Sequence, residues 1–298
     1  MTLTRRRFLT VTAAALAVPH PAAAGAARAR WRGVALGAPA SVLLAGVGPQ
    51  EARPVFARLE AALSRLEGIF SLYRDDSAIS RLNRAGHLPA PPPEMLEVLT
   101  LARRLHRGSG GAFDPTVQPL WQALATGGTA ADARGRVGMD GLRFDTREIG
   151  FARPGMALSL NGIAQGFVTD TIAALLKDHG FGRVLVDIGE IAALGHNRDG
   201  MPWQAGISDG PGHVVQRVAL RDRALATSAP GGTVLPGGQG HILHPAGRAP
   251  RQSLVSVSAD RAVLADGLST ALCLLDEGRG RRLAAGFAGA RVEHIAPA

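Results

Sequence analysis

Two stretches of the chain have apolar residues at the spacing of an amphipathic helix, and cap residues indicate a third helix. The clearest covers 49–70, where apolar residues three and four positions apart share one face. A second covers 91–107, after a run of three prolines and before a glycine-rich segment. A third ends near residue 272 and is predicted to begin at Ser258 or Asp260, because serine and aspartate are both good N-caps. These stretches therefore predict three helices, the first two with one apolar face.

The stretch 156–188 changes its period twice. Residues 156–160 alternate short apolar side chains, which predicts a strand. Asn161 then stands where a helix would begin, since asparagine is a good N-cap. A helical stripe follows, Gly180 ends it, and 184–188 is predicted as a buried strand.

Gly162 and Gly166 stand four positions apart on the first turns of this predicted helix. Because they have no side chains, a large ligand would be able to lie against the backbone there. The N–H groups at a helix N-terminus also attract anions. Ordinary close packing of the helix explains the same two glycines equally well. From this segment alone, both interpretations stay open.

Short strand-like segments separated by glycine fill much of the remaining chain. Residues 33–44 contain two of them, and others follow residue 189 at spacings typical of an antiparallel meander. Residues 25–32 are rich in alanine and arginine and predict a loose leader. No internal repeat or linker divides the chain, so residues 25–298 are predicted to form one unit.

The N-terminus has the pattern of an export signal. Thr4-Arg-Arg-Arg-Phe-Leu-Thr10 precedes an apolar run to Val18 and the small residues Ala22-Ala-Ala24. This pattern predicts a signal peptide over residues 1–24, and its paired arginines resemble a twin-arginine signal. The apolar run is too short for a permanent membrane span. We therefore expect a protein exported to the periplasm, with no permanent span.

Composition and charge narrow the classes of function. The formal net charge is +9, but the basic residues are scattered among acidic ones and aromatic residues make up only 4%. Nucleic-acid binding is therefore not predicted. Cys273 is the only cysteine, so no internal disulfide is possible, and its apolar neighbours indicate a buried core thiol.

Two pairs of polar residues are candidates for ligand contact. Asp114 and Thr116 bracket a proline, a geometry that suits bonds from side chain to backbone and also suits ligand contact. Asp266 and Thr270 lie four positions apart, on one face of the third predicted helix. Their oxygens are ligands suited to a hard cation, although an exposed hydrogen-bonded pair has the same spacing.

His241 and His244 stand three positions apart, just before a proline. In a strand, that spacing turns the two side chains to opposite faces. They are therefore a poor pair of ligands for one metal ion, and each histidine is considered separately.

The order of these motifs along the chain resembles the ApbE family, whose members cleave FAD and attach FMN to a protein threonine. The resemblance extends over roughly residues 33–298. The motifs, in order, are Tyr73…Ser77…Asn83, Gly111-Ala-Phe-Asp-Pro-Thr-Val117, Asn161-Gly-Ile-Ala-Gln-Gly166…Asp170, Asp187-Ile-Gly-Glu190, Ala226-Thr-Ser228, His241-Ile-Leu-His-Pro245 and Ala265-Asp-Gly-Leu-Ser-Thr270. The wording of the third and fourth motifs is most similar to the NosX branch, which is associated with maturation of nitrous oxide reduction.

The resemblance implies an α+β fold with mixed, largely antiparallel sheets flanked by helices, FAD as substrate and Mg²⁺ as cofactor. It implies His241 as the catalytic base and Asp266 as a second catalytic residue. It implies a metal site formed by the Ala164 carbonyl with the side chains of Asp266 and Thr270. The residues that it implies for FAD binding are Tyr73, Asp114, Thr116, Asn161, Gly162, Ala164, Gln165, Gly166, Asp170, Glu190, Thr227, Ser228 and His241.

The chain departs from the commoner family wording at several positions. Gln165 stands where a lysine is usual, which removes a positive charge near the phosphates of FAD, and His244 replaces an aspartate. Asp266, Thr270 and His241 are all present, so we expect FMN transfer to be retained.

The resemblance implies an exported or membrane flavoprotein as acceptor, and the NosX branch implies a NosR-like one. Two other functions stay open from the sequence. One is hydrolysis of FAD to FMN and AMP, with water as acceptor. The other is a non-catalytic FAD-binding accessory protein, for which the substitution at Gln165 is the argument.

Overall fold

The computed structural model describes residues 16–17, 27–210 and 212–298. The predicted signal peptide, residues 1–24, lies outside the described residues except for the two-residue strand Leu16–Ala17, which pairs with a later strand. Among the helices of the described ranges, none is both long enough and apolar enough to cross a membrane.

Helices and strands alternate in short groups along the described chain. The helices are α1 (Pro49–Phe70), α2 (Ala78–Ala85), α3 (Pro93–Gly108), α4 (Gln118–Ala125), α5 (Ala131–Arg134), α6 (Ala164–Asp178), α7 (Ala262–Cys273) and α8 (Glu277–Ala285). The strands are β1 (Leu16–Ala17), β2 (Arg28–Ala35), β3 (Ala38–Ala45), β4 (His87–Pro89), β5 (Leu142–Phe144), β6 (Glu148–Phe151), β7 (Val184–Asp187), β8 (Ile191–Leu194), β9 (Trp203–Gly210), β10 (His213–Leu220), β11 (Arg223–Ser228), β12 (Gln252–Ala259) and β13 (Arg291–Pro297).

The main sheet has seven strands in the order β13-β12-β11-β8-β7-β3-β2, and every neighbouring pair is antiparallel. A second sheet has the order β1-β9-β10, and a third has the order β4-β6-β5. With helices packed against these sheets, the predicted α+β class with largely antiparallel sheets is confirmed.

The main sheet buries a different set of side chains on each face, because successive residues of a strand point to opposite sides. One face, which includes Val42 and Val186, packs against α1, α6 and α7 and forms the larger core. The other face, which includes Leu185 and Ile191, is covered by the β9–β10 hairpin through Trp203 and its neighbours. The sheet is therefore the middle layer of three.

Several sequence predictions match the structure closely. The helix predicted over 49–70 is α1, and Pro49 begins it, where its missing N–H costs no hydrogen bond. The two strands predicted within 33–44 are the hairpin β2–β3. Cys273 is fully buried at the end of α7, as predicted, and burial raises the pKa of its thiol.

Several predictions about local structure are wrong. Helix α7 begins at neither Ser258 nor Asp260, because Ser258 lies in β12 and the cap position of α7 is Arg261. Residues 28–32, predicted as part of a loose leader, belong to β2 and pair with β3 along their whole length. Residues 156–160, predicted as a strand, are in neither a helix nor a strand and pair with no strand among the described residues. Residues 241–244 are not in a strand either, so the argument that His241 and His244 point to opposite faces does not apply.

In the stretch 156–160, a side chain makes the backbone hydrogen bonds that a neighbouring strand would make in a sheet. The amide of Asn83 accepts a hydrogen bond from the N–H of Leu158 at 2.7 Å and donates one to its carbonyl at 2.9 Å. The N–H of Ser159 donates to the Pro115 carbonyl at 2.8 Å. The stretch therefore has the apolar alternation of a strand, but its backbone hydrogen bonds are made with α2 and the 115–117 turn and not with another strand.

Candidate active site

A cleft of about 460 Å³ lies beside the N-terminal end of α6, between the β2–β3 turn, the 112–126 segment and α7. Its wall includes most of the residues that the sequence predicted for the site. They are Tyr73, Asp114, Asn161, Gly162, Ala164, Gln165, Glu190, Thr227, Ser228, His241, Asp266 and Thr270. Three predicted residues, Thr116, Gly166 and Asp170, lie behind this wall and not on it.

Helices α6 and α7 cap each other, which explains Gly166 and Asp170. The Asp266 carboxylate of α7 accepts a hydrogen bond from the N–H of Gly166, in the first turn of α6, at 2.9 Å. The Asp170 carboxylate of α6 accepts bonds from the N–H groups of Ala262 and Val263, at the beginning of α7, at 2.6 and 3.1 Å. Each carboxylate thereby satisfies backbone donors that a helix start leaves unpaired.

Asn161, the predicted N-cap of α6, does not cap this helix. Helix α6 begins at Ala164, and its cap position is Ile163, two residues later than predicted, whose side chain makes no capping bond. Asn161 instead lies on the cleft wall. The helix start is therefore stabilised by Asp266, which is 100 residues away in sequence.

The two glycines of the motif allow α6 and α7 to approach closely. A Cβ atom on Gly166 would lie 2.4 Å from the Ala262 carbonyl oxygen, and one on Gly162 would lie 2.8 Å from the Thr270 methyl carbon. The close-packing interpretation is therefore correct for Gly166. Gly162 combines close packing with a position on the cleft wall.

The Asp114 turn is held by its own side chains. One Asp114 carboxylate oxygen accepts bonds from the Thr116 N–H at 2.8 Å and from the Thr116 hydroxyl at 2.6 Å. The same hydroxyl oxygen accepts the Gly138 N–H at 2.7 Å. The second carboxylate oxygen of Asp114 lies 3.6 Å from Nδ1 of His106. Thr116 thus orients Asp114, while Asp114 itself faces the cleft.

Tyr73 stands at the cleft with 63% of its surface exposed. The loop around it is anchored by Ser77, whose hydroxyl donates to the Ser71 carbonyl at 2.6 Å and accepts the Ser80 N–H at 3.1 Å as the N-cap of α2. A rigid loop with an exposed aromatic ring at a cleft is well suited to stacking on a planar ligand.

His241 is oriented by backbone groups. Its Nδ1 lies 3.1 Å from the Pro230 carbonyl oxygen, which is only an acceptor, so Nδ1 bears the proton. In the neutral ring, Nε2 therefore keeps a free lone pair. Burial lowers the pKa of His241, although its bonds to backbone groups oppose this. The ring is thus neutral near pH 7 and available as a base.

Two buried carboxyl groups face each other at the cleft. Burial raises the pKa of Asp266 to about 7, with a further increase from Asp170 and an opposing effect of the Gly166 N–H. Burial also raises the pKa of Glu190 well above its usual range, and the neighbouring Asp266 raises it further. In the described part of the chain, neither carboxyl group has an ion-pair partner. Without a bound cation, the pair therefore holds protons.

Comparison with known proteins identifies the family. A model of the ApbE family matches residues 36–293, most of the chain. The chain belongs to the ApbE family.

Members of this family with a named activity are similar over most of their length. The chain is 30% identical to an FAD:protein FMN transferase of Haemophilus influenzae over 255 residues, which are 76% of this chain and 74% of that protein. The flavin transferase ApbE from Vibrio cholerae superposes with a TM-score of 0.78 at 26% identity, covering 91% of this chain and 98% of that one. The apo flavinyl transferase ApbE of Pseudomonas stutzeri gives 0.75 at 29% identity, covering 91% and 94%. The prediction that the chain is an enzyme of the transferase class is confirmed.

The residues of this ApbE-family chain fit the Mg²⁺ ion that the resemblance implies. Asp266 is 3% exposed, and the Thr270 hydroxyl lies one helical turn away on the same wall, 3.3 Å from the Ser228 hydroxyl. The Ala164 carbonyl begins α6, and its intrahelical bond leaves it a second lone pair. All of these donors are oxygens, which suits a hard cation, and a bound cation would favour the ionised forms of Asp266 and Glu190. Among the described residues no three His, Cys, Asp or Glu side chains converge on one point, so the set depends on the carbonyl and the hydroxyl.

Sequence reasoning missed one side of the ApbE-family cleft. Helix α4 was not predicted, yet Gln118, Trp121 and Gln122 all line the cleft, and Gln118 is nearly buried. A signal was present, since Pro119 suits a first helical turn and Leu120 and Leu124 are four residues apart. The missed side chains are amides and an aromatic ring, groups suited to the polar and planar parts of a nucleotide.

Proposed function

We propose that this chain is an Mg²⁺-dependent FAD:protein FMN transferase, which moves FMN from FAD to a threonine of an acceptor protein and releases AMP. The observation that supports it most strongly is the single cleft that joins His241, Asp266 and Thr270 in a chain of the ApbE family. A base, a buried carboxylate and a hydroxyl at one wall are the groups that phosphoryl transfer requires.

Binding of FAD is assigned to the wall around Tyr73 and the N-terminal end of α6. The exposed Tyr73 ring stacks on a planar part of FAD, and Asp114 contacts the ligand from the opposite segment. Asn161 and Gln165 supply amide donors to the pyrophosphate in place of a charge. Thr227 and Ser228 supply further hydroxyl groups to the wall, that of Ser228 lying 3.3 Å from the Thr270 hydroxyl.

The transfer step needs a base and an aligned acceptor. Nε2 of His241 takes the proton from the acceptor threonine, because Nδ1 is already bonded to Pro230. The threonine oxygen then attacks the phosphorus on the FMN side, and the bond from that phosphorus to the oxygen bridging it to AMP breaks. AMP leaves with the bridging oxygen, so that atoms and charge balance.

Asp266, Thr270 and the Ala164 carbonyl would hold Mg²⁺ against the FAD pyrophosphate. When bound, Mg²⁺ would neutralise negative charge on the phosphates and on the leaving AMP. Asp266 also keeps its bond to the Gly166 N–H, so the same carboxylate fixes the start of α6.

The finer assignments are part of this proposal. We place the chain in the NosX branch, with a NosR-like acceptor and a role in nitrous oxide reduction, on the wording of the motifs at 161–166 and 187–190. Export to the periplasm by a twin-arginine signal is supported by the pattern of residues 1–24. Residues 25–298 then form the flavin transferase unit.

Release of AMP tests the reaction type. FAD and Mg²⁺ are incubated with the protein, with and without an acceptor domain that contains a threonine, and AMP is measured by chromatography. We expect AMP only when the acceptor is present. AMP and FMN at equal rates without acceptor would indicate a hydrolase, and intact bound FAD with a verified acceptor would indicate a binding protein.

The variant Asp266→Asn tests, in the same AMP assay, whether the cleft is the site of the reaction. Asparagine keeps an oxygen that accepts the Gly166 N–H but removes the charge, so the fold is retained while AMP release falls by about 100-fold or more. Asp178→Asn is the matched control, because Asp178 is exposed at the far end of α6. Equal activity of both variants would contradict the proposal.

A further inference from the structure

A second concave site lies away from the cleft, between the C-terminal end of α3 and helix α8. It encloses about 540 Å³ and has four arginines around it: Arg104, Arg107, Arg279 and Arg282. All four side chains are exposed. Among the described residues it shares no lining residue with the cleft, so its function is a separate question.

The positive charge of this arginine pocket is not neutralised within the described chain. None of the four guanidinium groups forms an ion pair with a described residue. Two acidic residues stand at the beginning of α8: Glu277 pairs with Arg281, and Asp276 caps the helix by accepting the backbone N–H of Arg279 at 2.9 Å, so neither forms an ion pair with a guanidinium group of the pocket. Four like charges around one concavity repel one another, and an anion bound among them would remove that repulsion.

Local helix stability does not explain all four arginines. Arg104 and Arg107 lie at the end of α3, where cations interact favourably with the helix dipole. Arg279, however, lies in the first turn of α8, where the dipole favours negative charge. A residue that opposes its local environment indicates a role outside the helix itself.

A glycine-containing loop and an apolar floor also shape the arginine pocket. Gly110 has φ +63°, and a Cβ atom there would lie 3.1 Å from a guanidinium nitrogen of Arg279, so the 108–111 loop leaves room for that group. The floor includes Leu283 and Phe287, both buried, and the Arg104 guanidinium lies 5.0 Å from the centre of the Phe287 ring. The ring thereby orients one guanidinium toward the pocket.

We propose that this arginine pocket binds a phosphate group. A guanidinium presents parallel N–H donors that match two phosphate oxygens, and several such groups around a concavity select a dianion over a single carboxylate. The apolar floor receives the organic part of the ligand next to its phosphate. The phosphate belongs either to a soluble ester or to a lipid headgroup, two sources with one recognition chemistry.

Two probes distinguish these sources. Inorganic pyrophosphate, without Mg²⁺, is titrated into the purified protein by calorimetry, and vesicles of phosphatidylglycerol are compared with vesicles of phosphatidylcholine in a sedimentation assay. Binding of pyrophosphate alone assigns a soluble ligand, and retention on phosphatidylglycerol vesicles assigns a lipid headgroup. Failure of the wild-type protein to bind either probe would overturn the proposal.

Paired variants show where the probe binds. R279Q/R282Q is expected to weaken binding at least about tenfold, because two charge-assisted contacts are lost. R104Q/R107Q, on the other helix, provides a second test with the same expectation. R53Q/R58Q is the charge-matched control: both arginines are exposed on α1 and lie outside the pocket, so binding should change less than about twofold. Equal weakening in all three variants would show only an effect of net charge and would refute the pocket.

Discussion

Substitution of Gly166 by alanine tests the contact that joins α6 to α7. The added methyl carbon would lie 2.4 Å from the Ala262 carbonyl oxygen, 2.6 Å from its carbon and 2.7 Å from the Cα of Val263. All three atoms belong to the backbone, so no side chain is able to rotate away. The two helices therefore have to move apart, and the bond from the Gly166 N–H to Asp266 is stretched.

Two opposing terms determine the size of the effect. Overpacking of this kind costs about 1–3 kcal/mol, and a rigid backbone contact places Gly166 at the upper end. Alanine is favoured over glycine inside a helix by about 1 kcal/mol. The free energy of unfolding should therefore fall by about 2 kcal/mol, which corresponds to a Tm lower by about 4–8 °C for a domain of this size.

Gly68→Ala separates these two terms. Gly68 lies within α1, and a Cβ atom there would have no neighbour within 4 Å. Only the helix-propensity term remains, so this variant should be more stable than the wild type by about 0.5–1 kcal/mol. Thermal unfolding followed by circular dichroism measures both variants, and AMP release with FAD, Mg²⁺ and acceptor measures their activity.

Gly166→Ala should lose more activity than its lower stability alone would cause, because α7 holds Asp266 and Thr270 at the cleft. Gly68→Ala should keep full activity. If Gly166→Ala gained stability as Gly68→Ala does, the close-packing interpretation of Gly166 would be wrong. The glycine would then serve the approach of a ligand to the backbone.

Three other substitutions test separate parts of the account. Ser77→Ala removes the cap of α2 and should lower the free energy of unfolding by about 1–2 kcal/mol, measured by denaturant titration; no change would contradict the capping role. Burial raises the pKa of Asp187 to about 6 from an ordinary value of 3.8, against the opposing effects of the Gly189 N–H and Arg30. The contribution of the Asp187 carboxyl group to the free energy of unfolding is therefore fully present below about pH 4 and is lost as the pH rises through 6. In a series of thermal scans, the Tm of Asp187→Asn relative to that of the wild type should rise between pH 4 and pH 7. A constant difference in Tm would refute this. Thr270→Val keeps the shape but removes the hydroxyl, so AMP release should fall at least about tenfold with little change in Tm, whereas Thr171→Val, whose hydroxyl bonds only within α6, should change neither.

The elements that local periodicity specifies were the ones predicted well. Helix α1 has its predicted bounds because its apolar face repeats over six turns without interruption. The β2–β3 hairpin follows from two apolar segments around a turn, in which Leu36 and Gly37 both have positive φ. In these cases the residues that determine the structure are neighbours in sequence.

The start of α6 was predicted wrongly because its determinants are distant. Leu158 has the alternation of a strand, yet its backbone partner is the Asn83 side chain, 75 residues away. The cap position of α6 is Ile163, and the N–H of Gly166 in its first turn is bonded by Asp266 and not by Asn161. A local pattern contains no information about a carboxylate on another helix, so neither bond was predictable from this stretch.

The residues that line the cleft were predicted from the order of the motifs along the chain more than from the chemistry of each residue. Asp170 belongs to a motif next to the cleft, but its carboxylate is used to cap α7. Gln118 and Trp121 line the cleft although no motif included them. Membership of a motif therefore indicates proximity to the site, and only the fold distinguishes a residue of the wall from one that supports it.

The intact mass of an acceptor domain after incubation with the protein, FAD and Mg²⁺ shows directly whether FMN is transferred to it. We expect a covalent gain equal to one FMN on a threonine, absent with Asp266→Asn and strongly reduced with His241→Gln. An acceptor of unchanged mass, with its threonine accessible and FAD bound to the protein, would contradict it.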